Sequence, residues 1–274
     1  TVLTGPGSAN AIGGSWCAMK TMGRRIDDMV IDPNVGMKFA LGENPKTVYH
    51  DRDETPITRM AVAALIREQL HKAKEYQKAK RKAKRENDDP PEYDAKCEAL
   101  LPVLKGKCKA FFHCHRADDI FTAIRIAKEF SLDLVLVHAT EGYLVADLLQ
   151  QEQAKIIAGP VLCDRSKPEM GKASIENPAK LWQAGLPFFP LSSPDWKTEW
   201  AVWQWARMGI WSSAGTTFSL RTLFPQRCSA MADWPPREKI LPLESRLKTM
   251  RELSVHEITA AVRDLCIQAN MVLP

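Results

Sequence analysis

The sequence contains no run of 18 or more apolar residues, the length expected of a helix that crosses a bilayer, so we expect no membrane span. It has no C-x-x-C motif, and its seven cysteines are odd in number and scattered along the chain. That pattern predicts reduced thiols in a cytoplasmic protein and argues against a disulfide framework or a structural zinc site. The opening residues lack the basic and apolar regions of a signal peptide, and they lack an initiator Met. We therefore expect that part of the protein precedes Thr1.

Positive charge is concentrated in one segment of the chain. The formal net charge is +5, and residues 67–86 alone hold nine Lys and Arg against three Glu. We interpret this segment as the solvated face of a helix, because Lys and Arg stems commonly coat exposed helices. The alternative function is a non-catalytic basic protein that binds nucleic acid through residues 67–86. Tyr76 is the sole aromatic residue among these charges, which disfavours that alternative.

The first part of the chain predicts two short strands and a long helix. Residues Val2–Thr4 are a predicted strand that leads into the glycine-rich loop "TGPGSANAIGG". This loop lacks the spacing of a phosphate-binding loop, so an open α/β nucleotide module is the least favoured alternative. A second strand is predicted over 35–41. Thr55 and Pro56 are the predicted cap and first residue of a helix that ends near Glu86.

A regular strand–helix alternation follows. Apolar segments at 110–114, 132–137 and 155–158 predict buried strands. The segment between the first two begins with two Asp residues and has apolar residues at helical spacing, and 143–151 predicts a second, shorter helix. Short connections between such elements require parallel strands with right-handed crossovers. The sequence therefore predicts an α/β fold with a parallel sheet.

Two histidines lie at the carboxyl ends of adjacent predicted strands. His113 lies at the end of one and His138 follows the next, while Glu43 ends an earlier strand. A single histidine in this position is more often a satisfied core or loop residue. In parallel α/β folds, however, the carboxyl ends of the strands are where ligands and metals bind. Two imidazoles and a carboxylate at one edge therefore favour a metal site.

Residues 1–185 also resemble a known family, the metal-dependent amidohydrolases, specifically their imidazolonepropionase-like group. The matching stretches are "TGPGSANAIGG", "KFALGENPK", "TPITRMAVAALIRE", "FHCHRADDIFTAIRIAKEF", "LVLVHATEG" and "GPVLCDRSKPE". The resemblance implies a partial (β/α)8 TIM-type barrel that hydrolyses the C–N bond of an amide or cyclic amide with metal-activated water. It also implies one or two divalent metals, with zinc as the first expectation and manganese or iron as alternatives. The implied partner is a small-molecule amide substrate, and a homo-oligomer is left open.

The resemblance assigns metal-binding roles to individual residues. His113 corresponds to the ligand of the fifth barrel strand and His138 to the ligand of the sixth. His115 is a ligand or a substrate contact and ranks below His113. Glu43 occupies the place of an acidic ligand from an earlier strand, with a carboxylated Lys38 as the alternative for that role.

The resemblance also suggests how an anionic substrate would be held. Arg116, Arg165 and Lys167 are candidates for binding an anionic group of the substrate. The alternative for all three is salt bridging to the acidic residues nearby, which are Asp118, Asp119 and Glu169.

Two parts of the family pattern are absent from the sequence. No His-x-His pair precedes "TVLTGPGSAN", although the family carries one on its first barrel strand. The family's last strand ends in a catalytic Asp, and the corresponding segment here, "LSSPDWKT", offers Asp195 in an atypical context. Because first-strand ligands are missing, we expect an incomplete barrel and impaired hydrolysis in this fragment.

The sequence changes character after residue 185. Residues 186–249 are rich in Trp and Pro, and "WKTEWAVWQWARMGIW" holds five of the eight tryptophans. We interpret this region as translated out of frame, with a buried or interfacial aromatic helix as the alternative. Residues 250–274 resemble the N-terminus of an iron–sulfur fumarate hydratase alpha subunit and predict an amphipathic helix. That segment carries no catalytic residue of such an enzyme, so no activity is implied.

Overall fold

The structure is a computed structural model that describes residues 2–160, 165, 167–186 and 188–190. Its frame is one seven-stranded sheet with the strands in chain order from β1 to β7. The first three strands pair antiparallel and the remaining pairs are parallel. In order, the strands are β1 (Val2–Thr4), β2 (Ile12–Met19), β3 (Val30–Ala40), β4 (Lys109–Cys114), β5 (Leu134–His138), β6 (Ile156–Ala158) and β7 (Phe188–Pro190).

Seven α-helices lie between these strands in the described residues. They are α1 (Ile26–Met29), α2 (Glu43–His50), α3 (Arg59–Glu86), α4 (Ala95–Leu104), α5 (Ala117–Phe130), α6 (Ala146–Gln151) and α7 (Asn177–Gln183). Short 3₁₀ helices cover Gly142–Leu144 and Pro168–Met170. Within the part of the chain that the structure describes, no helix is long and apolar enough to span a membrane.

Alternate residues of the parallel strands pack into two separate cores. Phe39, Phe112 and Leu136 face the helices and join the larger core, in which α3 and α5 also bury their apolar sides. Phe111 and Val137 face the other way and pack with Trp16 and Ile157 in a smaller core. Since side chains alternate between the faces of a strand, His113 lies on the same face as Phe111. The curled sheet is consistent with part of a barrel, whose interior is this second face.

Several boundaries differ from the sequence-based expectation. The long helix α3 begins at Arg59, because the side chain of Thr58 accepts the capping hydrogen bond from the Ala61 N–H. The prediction that Thr55 caps this helix was therefore wrong, while its predicted end near Glu86 is confirmed. The predicted helix over 143–151 divides into the 3₁₀ helix and α6. Strands β2 and β7 and helices α1, α2, α4 and α7 were not predicted.

The basic segment 67–86 forms the C-terminal two thirds of α3. Many of its cations contact acidic side chains within the protein, and these pairs are Arg67–Glu129, Lys72–Asp94, Lys78–Glu75, Lys80–Glu98, Lys82–Glu86 and Arg85–Glu86. Nucleic-acid binding by this helix stays an untested alternative. The proposed boundary at residue 185 also stays a prediction, and β7 continues the sheet to Pro190. The Trp-rich sequence and the segment 250–274 lie outside the described residues.

Candidate metal centre

Three histidines meet at the carboxyl end of β4 and β5. One ring nitrogen from each of His113, His115 and His138 lies within 4.8 Å of the others. The ring centroids are separated by 4.5 to 4.7 Å, with two edge-to-face contacts and one stacked contact. His113 and His115 are only 2% and 3% exposed. The pairing of His113 and His138 that was predicted from strand ends is therefore present, and His115 joins it.

Backbone geometry at the end of β5 turns His138 towards this cluster. His138 has φ of 76° and Ala139 has φ of 45°, both in the left-handed region that residues with a Cβ disfavour. Non-glycine residues held in this region store strain and are concentrated at functional sites. Asn177, the first residue of α7, donates a hydrogen bond to the Ala139 carbonyl and accepts one from the Tyr143 N–H. Its side chain holds the turn that follows His138.

The cluster favours uncharged imidazoles. Burial lowers the pKa of His138 to about 4, and the positive charges of Lys38 and Lys167 act in the same direction against its hydrogen bond to a carbonyl. Burial lowers the pKa of His115 to about 2, and burial together with the neighbouring histidines holds the pKa of His113 well below its usual value. A neutral imidazole keeps a lone pair on one ring nitrogen, and this neutral form is the one that binds metal.

Hydrogen bonds orient two of these rings as metal-binding histidines are usually oriented. The Nδ1 atom of His138 lies 2.7 Å from the Gly159 carbonyl oxygen, so it donates and leaves the lone pair on Nε2. The Nδ1 atom of His115 lies 2.7 Å from the hydroxyl of Thr140. Such partners fix the tautomer and direction of a metal-binding imidazole. The Nδ1 atom of His113 is buried with no hydrogen-bond partner in the described part of the chain. The three residues fit a divalent metal site.

Two lysines lie beside the cluster. Lys38 of β3 is 4% exposed, and burial lowers the pKa of its amine to about 8. Lys167 donates a hydrogen bond to the Asn44 side-chain oxygen, and the amide nitrogen of Asn44 lies 3.3 Å from His113 Nε2. Through Asn44, the cation of Lys167 is therefore linked to the histidines. Lys167 is one of three cations predicted to bind substrate, and the described contacts of the other two, Arg116 and Arg165, do not link them to the histidines.

The other two predicted cations make local contacts. Arg116 is exposed and pairs with Asp118 through two hydrogen bonds, at 2.9 and 3.0 Å. Arg165 is exposed and donates to the Ala173 carbonyl at 2.8 Å. The contact of Arg116 with Asp118 is the salt bridge that was considered as the alternative to substrate binding. A substrate-binding role for either arginine stays a prediction. Asp195, the predicted catalytic residue, lies outside the described residues.

A partly buried charge network surrounds Arg59 next to the histidines. Arg59 contacts the carboxylates of Glu43 at 2.8 Å, Asp119 at 3.1 Å and Glu169 at 3.6 Å. The Glu43 carboxylate also pairs with Lys46. The ligand atoms that lie within 4.8 Å of one another belong to the three histidines, and neither Glu43 nor Glu169 is in that group. The predicted role of Glu43 as a metal ligand stays a prediction. Glu169 is the member nearest to His115, with 3.8 Å between Oε1 and Nε2.

Sequence reasoning missed Arg59 and Asn177, and it considered Glu169 only as a salt-bridge partner. These residues lie on α3, on α7 and in the 3₁₀ helix Pro168–Met170, far from the histidines in the chain. No local spacing marks them, because charged residues at the start of a helix and after a loop are common on protein surfaces. The remaining signal was the Pro168-Glu169 dipeptide within a stretch shared with the resembled family.

Three comparisons with known proteins were made, and one of them found a similar protein. No protein-family profile matches the chain, and no curated protein matches it. Among solved structures, an amidohydrolase from Thermotoga maritima MSB8 matches with a TM-score of 0.68 and 40% sequence identity. This chain is similar to half of an amidohydrolase. The match covers 69% of this chain and 50% of that one, so the chain spans about half the length of that relative. The amidohydrolase resemblance predicted from the sequence is thus confirmed at this level.

Proposed function

We propose that this chain is a metal-dependent hydrolase of C–N bonds in amides or cyclic amides. The observation that carries the proposal is the cluster of His113, His115 and His138, whose ligand atoms lie within 4.8 Å of one another. The chain that forms this cluster is 40% identical in sequence to a solved amidohydrolase over the matched region. Membership of the imidazolonepropionase-like group is the finer part of the proposal and rests on the sequence stretches quoted above. Zinc is the first candidate because neutral imidazoles are among its usual ligands, and manganese or iron are the alternatives.

The histidines and their hydrogen-bond partners would have different tasks at the centre. His113, His115 and His138 would hold the metal, with Thr140 and Gly159 fixing the orientation of two rings. A divalent metal bound there would act as a Lewis acid, which would lower the pKa of a water molecule to about 7 and polarise a carbonyl.

The cations beside the histidines would orient the substrate. The Lys167 ammonium, which lies next to Asn44, would attract a carboxylate or carbonyl oxygen of the substrate. Lys38 is buried on β3 with a lowered pKa, so at mildly alkaline pH it offers either a charged or a neutral amine at the same centre. Proton transfer to the leaving nitrogen requires a further group, for which Asp195 stays the sequence-based candidate.

The first experiment compares metal binding and hydrolysis in the whole chain and in two matched variants. We expect about one equivalent of zinc to bind wild type, to raise its unfolding temperature, and to support slow hydrolysis of N-acyl or cyclic-amide substrates. His113→Asn should lose the zinc-dependent stabilisation. His50→Asn, which changes an exposed histidine at the end of α2, should retain it.

A wild-type protein whose unfolding temperature does not respond to zinc, manganese or iron would contradict the proposal. So would metal binding that His113→Asn and His50→Asn weaken equally, because the site would then lie elsewhere. The prediction that hydrolysis is impaired is tested by the same assay, through comparison of the rate with that of the intact relative.

A further inference from the structure

Glu169 is the most deeply buried carboxylate beside the histidine cluster, and its two oxygens differ. The residue is 1% exposed. Its Oε2 atom accepts a hydrogen bond from the Glu43 backbone N–H at 2.7 Å and lies 3.6 Å from the Arg59 guanidinium. Its Oε1 atom is buried and has no hydrogen-bond partner among the described residues. That second oxygen lies 3.8 Å from His115 Nε2.

An unsatisfied carboxylate oxygen is costly to bury. Removing a polar atom from water without a new partner costs on the order of 1–3 kcal/mol, and more for a charged group. Accordingly, burial raises the pKa of Glu169, against the opposing effects of the hydrogen bond from the Glu43 N–H and of the positive charges of Lys167 and Arg59. An unsatisfied buried polar group calls for an explanation, and a bound ion or a catalytic role is one such explanation. The backbone also leaves space for it, because a Cβ at Gly42 would lie 2.4 Å from Oε2.

We infer that Glu169 Oε1 is a carboxylate ligand of the same metal centre, in addition to the three imidazoles. This inference rests on the proposed function, since it concerns the same site. Two ligand atoms bonded to one ion at about 2.1 Å each lie roughly 3–4 Å apart, and the observed 3.8 Å falls in that range. The carboxylate would also supply a negative charge, which three neutral imidazoles lack, to offset the charge of a buried divalent cation.

The neighbouring carboxylates are less suited to this role. Glu43 and Asp119 share the Arg59 guanidinium, and Glu43 has Lys46 as a second cation. Among the three described carboxylates that contact Arg59, Glu169 has a buried oxygen without a hydrogen-bond partner, whereas Glu43 and Asp119 do not. Its other oxygen is fixed by the start of α2, so the free oxygen is held in one direction. That fixed direction is what a preorganised ligand needs.

The test measures metal affinity and the electronic spectrum of the bound ion, neither of which depends on turnover. Full-length wild type, Glu169→Gln and Glu169→Asp are titrated with zinc against a chelator of known affinity, and each is also loaded with Co²⁺. Glu169→Gln keeps an oxygen that can accept the Glu43 N–H, and Glu169→Asp withdraws the carboxylate by one methylene. We expect both variants to bind zinc at least about 10-fold more weakly and to change the visible absorption of Co²⁺.

Asp119→Asn is the matched control, because it removes a buried charge from the same Arg59 network without altering a group that contacts His115. It should change zinc affinity by less than about 3-fold and leave the Co²⁺ spectrum as in wild type. The inference is overturned if Glu169→Gln and Glu169→Asp bind zinc as wild type does and give its Co²⁺ spectrum. Should Glu169→Gln fail to fold, Glu169→Asp decides the question by the same readouts. A wild-type chain that binds no metal would overturn the proposed function itself, which is a different result.

Discussion

Asn177 and Ala139 are joined by a hydrogen bond of 3.0 Å, from the side-chain amide nitrogen to the backbone carbonyl. Ala139 follows His138 and has a left-handed φ of 45°, so this bond holds the strained turn that places His138 in the histidine cluster. Asn177 also accepts a hydrogen bond from the Tyr143 N–H at 2.9 Å and is 4% exposed. A residue that contacts no ligand can in this way determine where a ligand residue lies.

Removal of this side chain should affect both stability and metal binding. Asn177→Ala leaves the Ala139 carbonyl and the Tyr143 N–H without a partner, so we expect a loss of about 2 kcal/mol or more in the free energy of unfolding. Zinc affinity should fall by about 10-fold, because His138 would lose its fixed position. Urea denaturation without metal and chelator competition with zinc measure the two effects. Glu176→Ala, a neighbouring surface change, should alter neither. Equal behaviour of the two variants would contradict the assigned role.

The Arg59 network should be strongly sensitive to loss of its cation. Arg59→Met leaves the buried carboxylates of Asp119 and Glu169 without their shared cation, and breaking a buried pair in this way costs about 3–5 kcal/mol. Arg25→Met removes an exposed pair with Asp28 and should cost far less, because exposed ion pairs contribute little to stability. Urea denaturation at neutral pH measures both. Similar losses in the two variants would mean that the network contributes no more than an ordinary surface pair.

The central strands of the sheet could be predicted from the sequence because they are nearly continuous apolar segments. Strands β4 to β6 bury both faces, so their residues are apolar without interruption and are easily recognised. His113 and His138 stand out against that background, and the parallel arrangement brings them together. Strand β2 was missed because "IGGSWCAM" contains two glycines and follows a glycine-rich loop, which together predict a turn.

Helix α2 was missed for a different reason. Asn44-Pro45 was interpreted as a break after β3, but Pro45 lies in the first turn of the helix. Backbone N–H groups have no intrahelical partner there, so a proline is tolerated. The contact between Glu43 and Glu169 could not be predicted at all, because the two residues are separated by 126 positions. A buried network assembled from loops and helix ends has no periodic pattern that a sequence could reveal.

The pH dependence of stability should include a contribution from Asp133. Its carboxylate accepts hydrogen bonds from Lys109 at 2.7 Å and Lys155 at 2.5 Å. Burial raises its pKa, but these two bonds outweigh burial and leave the pKa below its ordinary value. A lowered carboxyl pKa stabilises the fold above the unfolded value of about 4, and this stabilisation is lost as the pH falls through the folded value.

Asp133→Asn should therefore be less stable than wild type at neutral pH by about 1 kcal/mol, since the carboxylate is partly exposed. The difference should shrink as urea denaturation is repeated at progressively lower pH, because the wild-type carboxylate becomes protonated as well. Asp28→Asn, in an exposed pair with Arg25, should show little difference at neutral or low pH. A gap between Asp133→Asn and wild type that persists in acid would mean that the side chain acts through shape and not through charge.

Gly42 should tolerate alanine much less well than Gly106 does. Both have positive φ, 85° and 65°, but Gly42 also has ψ of −148°, a combination that is essentially restricted to glycine, so Ala incurs more backbone strain at Gly42 than at Gly106. A Cβ at Gly106 would meet nothing within 4 Å, whereas at Gly42 it would lie 2.4 Å from Glu169 Oε2. We therefore expect Gly42→Ala to lose about 2 kcal/mol more stability in urea than Gly106→Ala. Gly42→Ala should also weaken zinc binding, because the clash displaces Glu169, while Gly106→Ala should not. Equal losses of stability would mean that Glu169 is free to move away from α2, and a carboxylate with that freedom could not be a preorganised ligand.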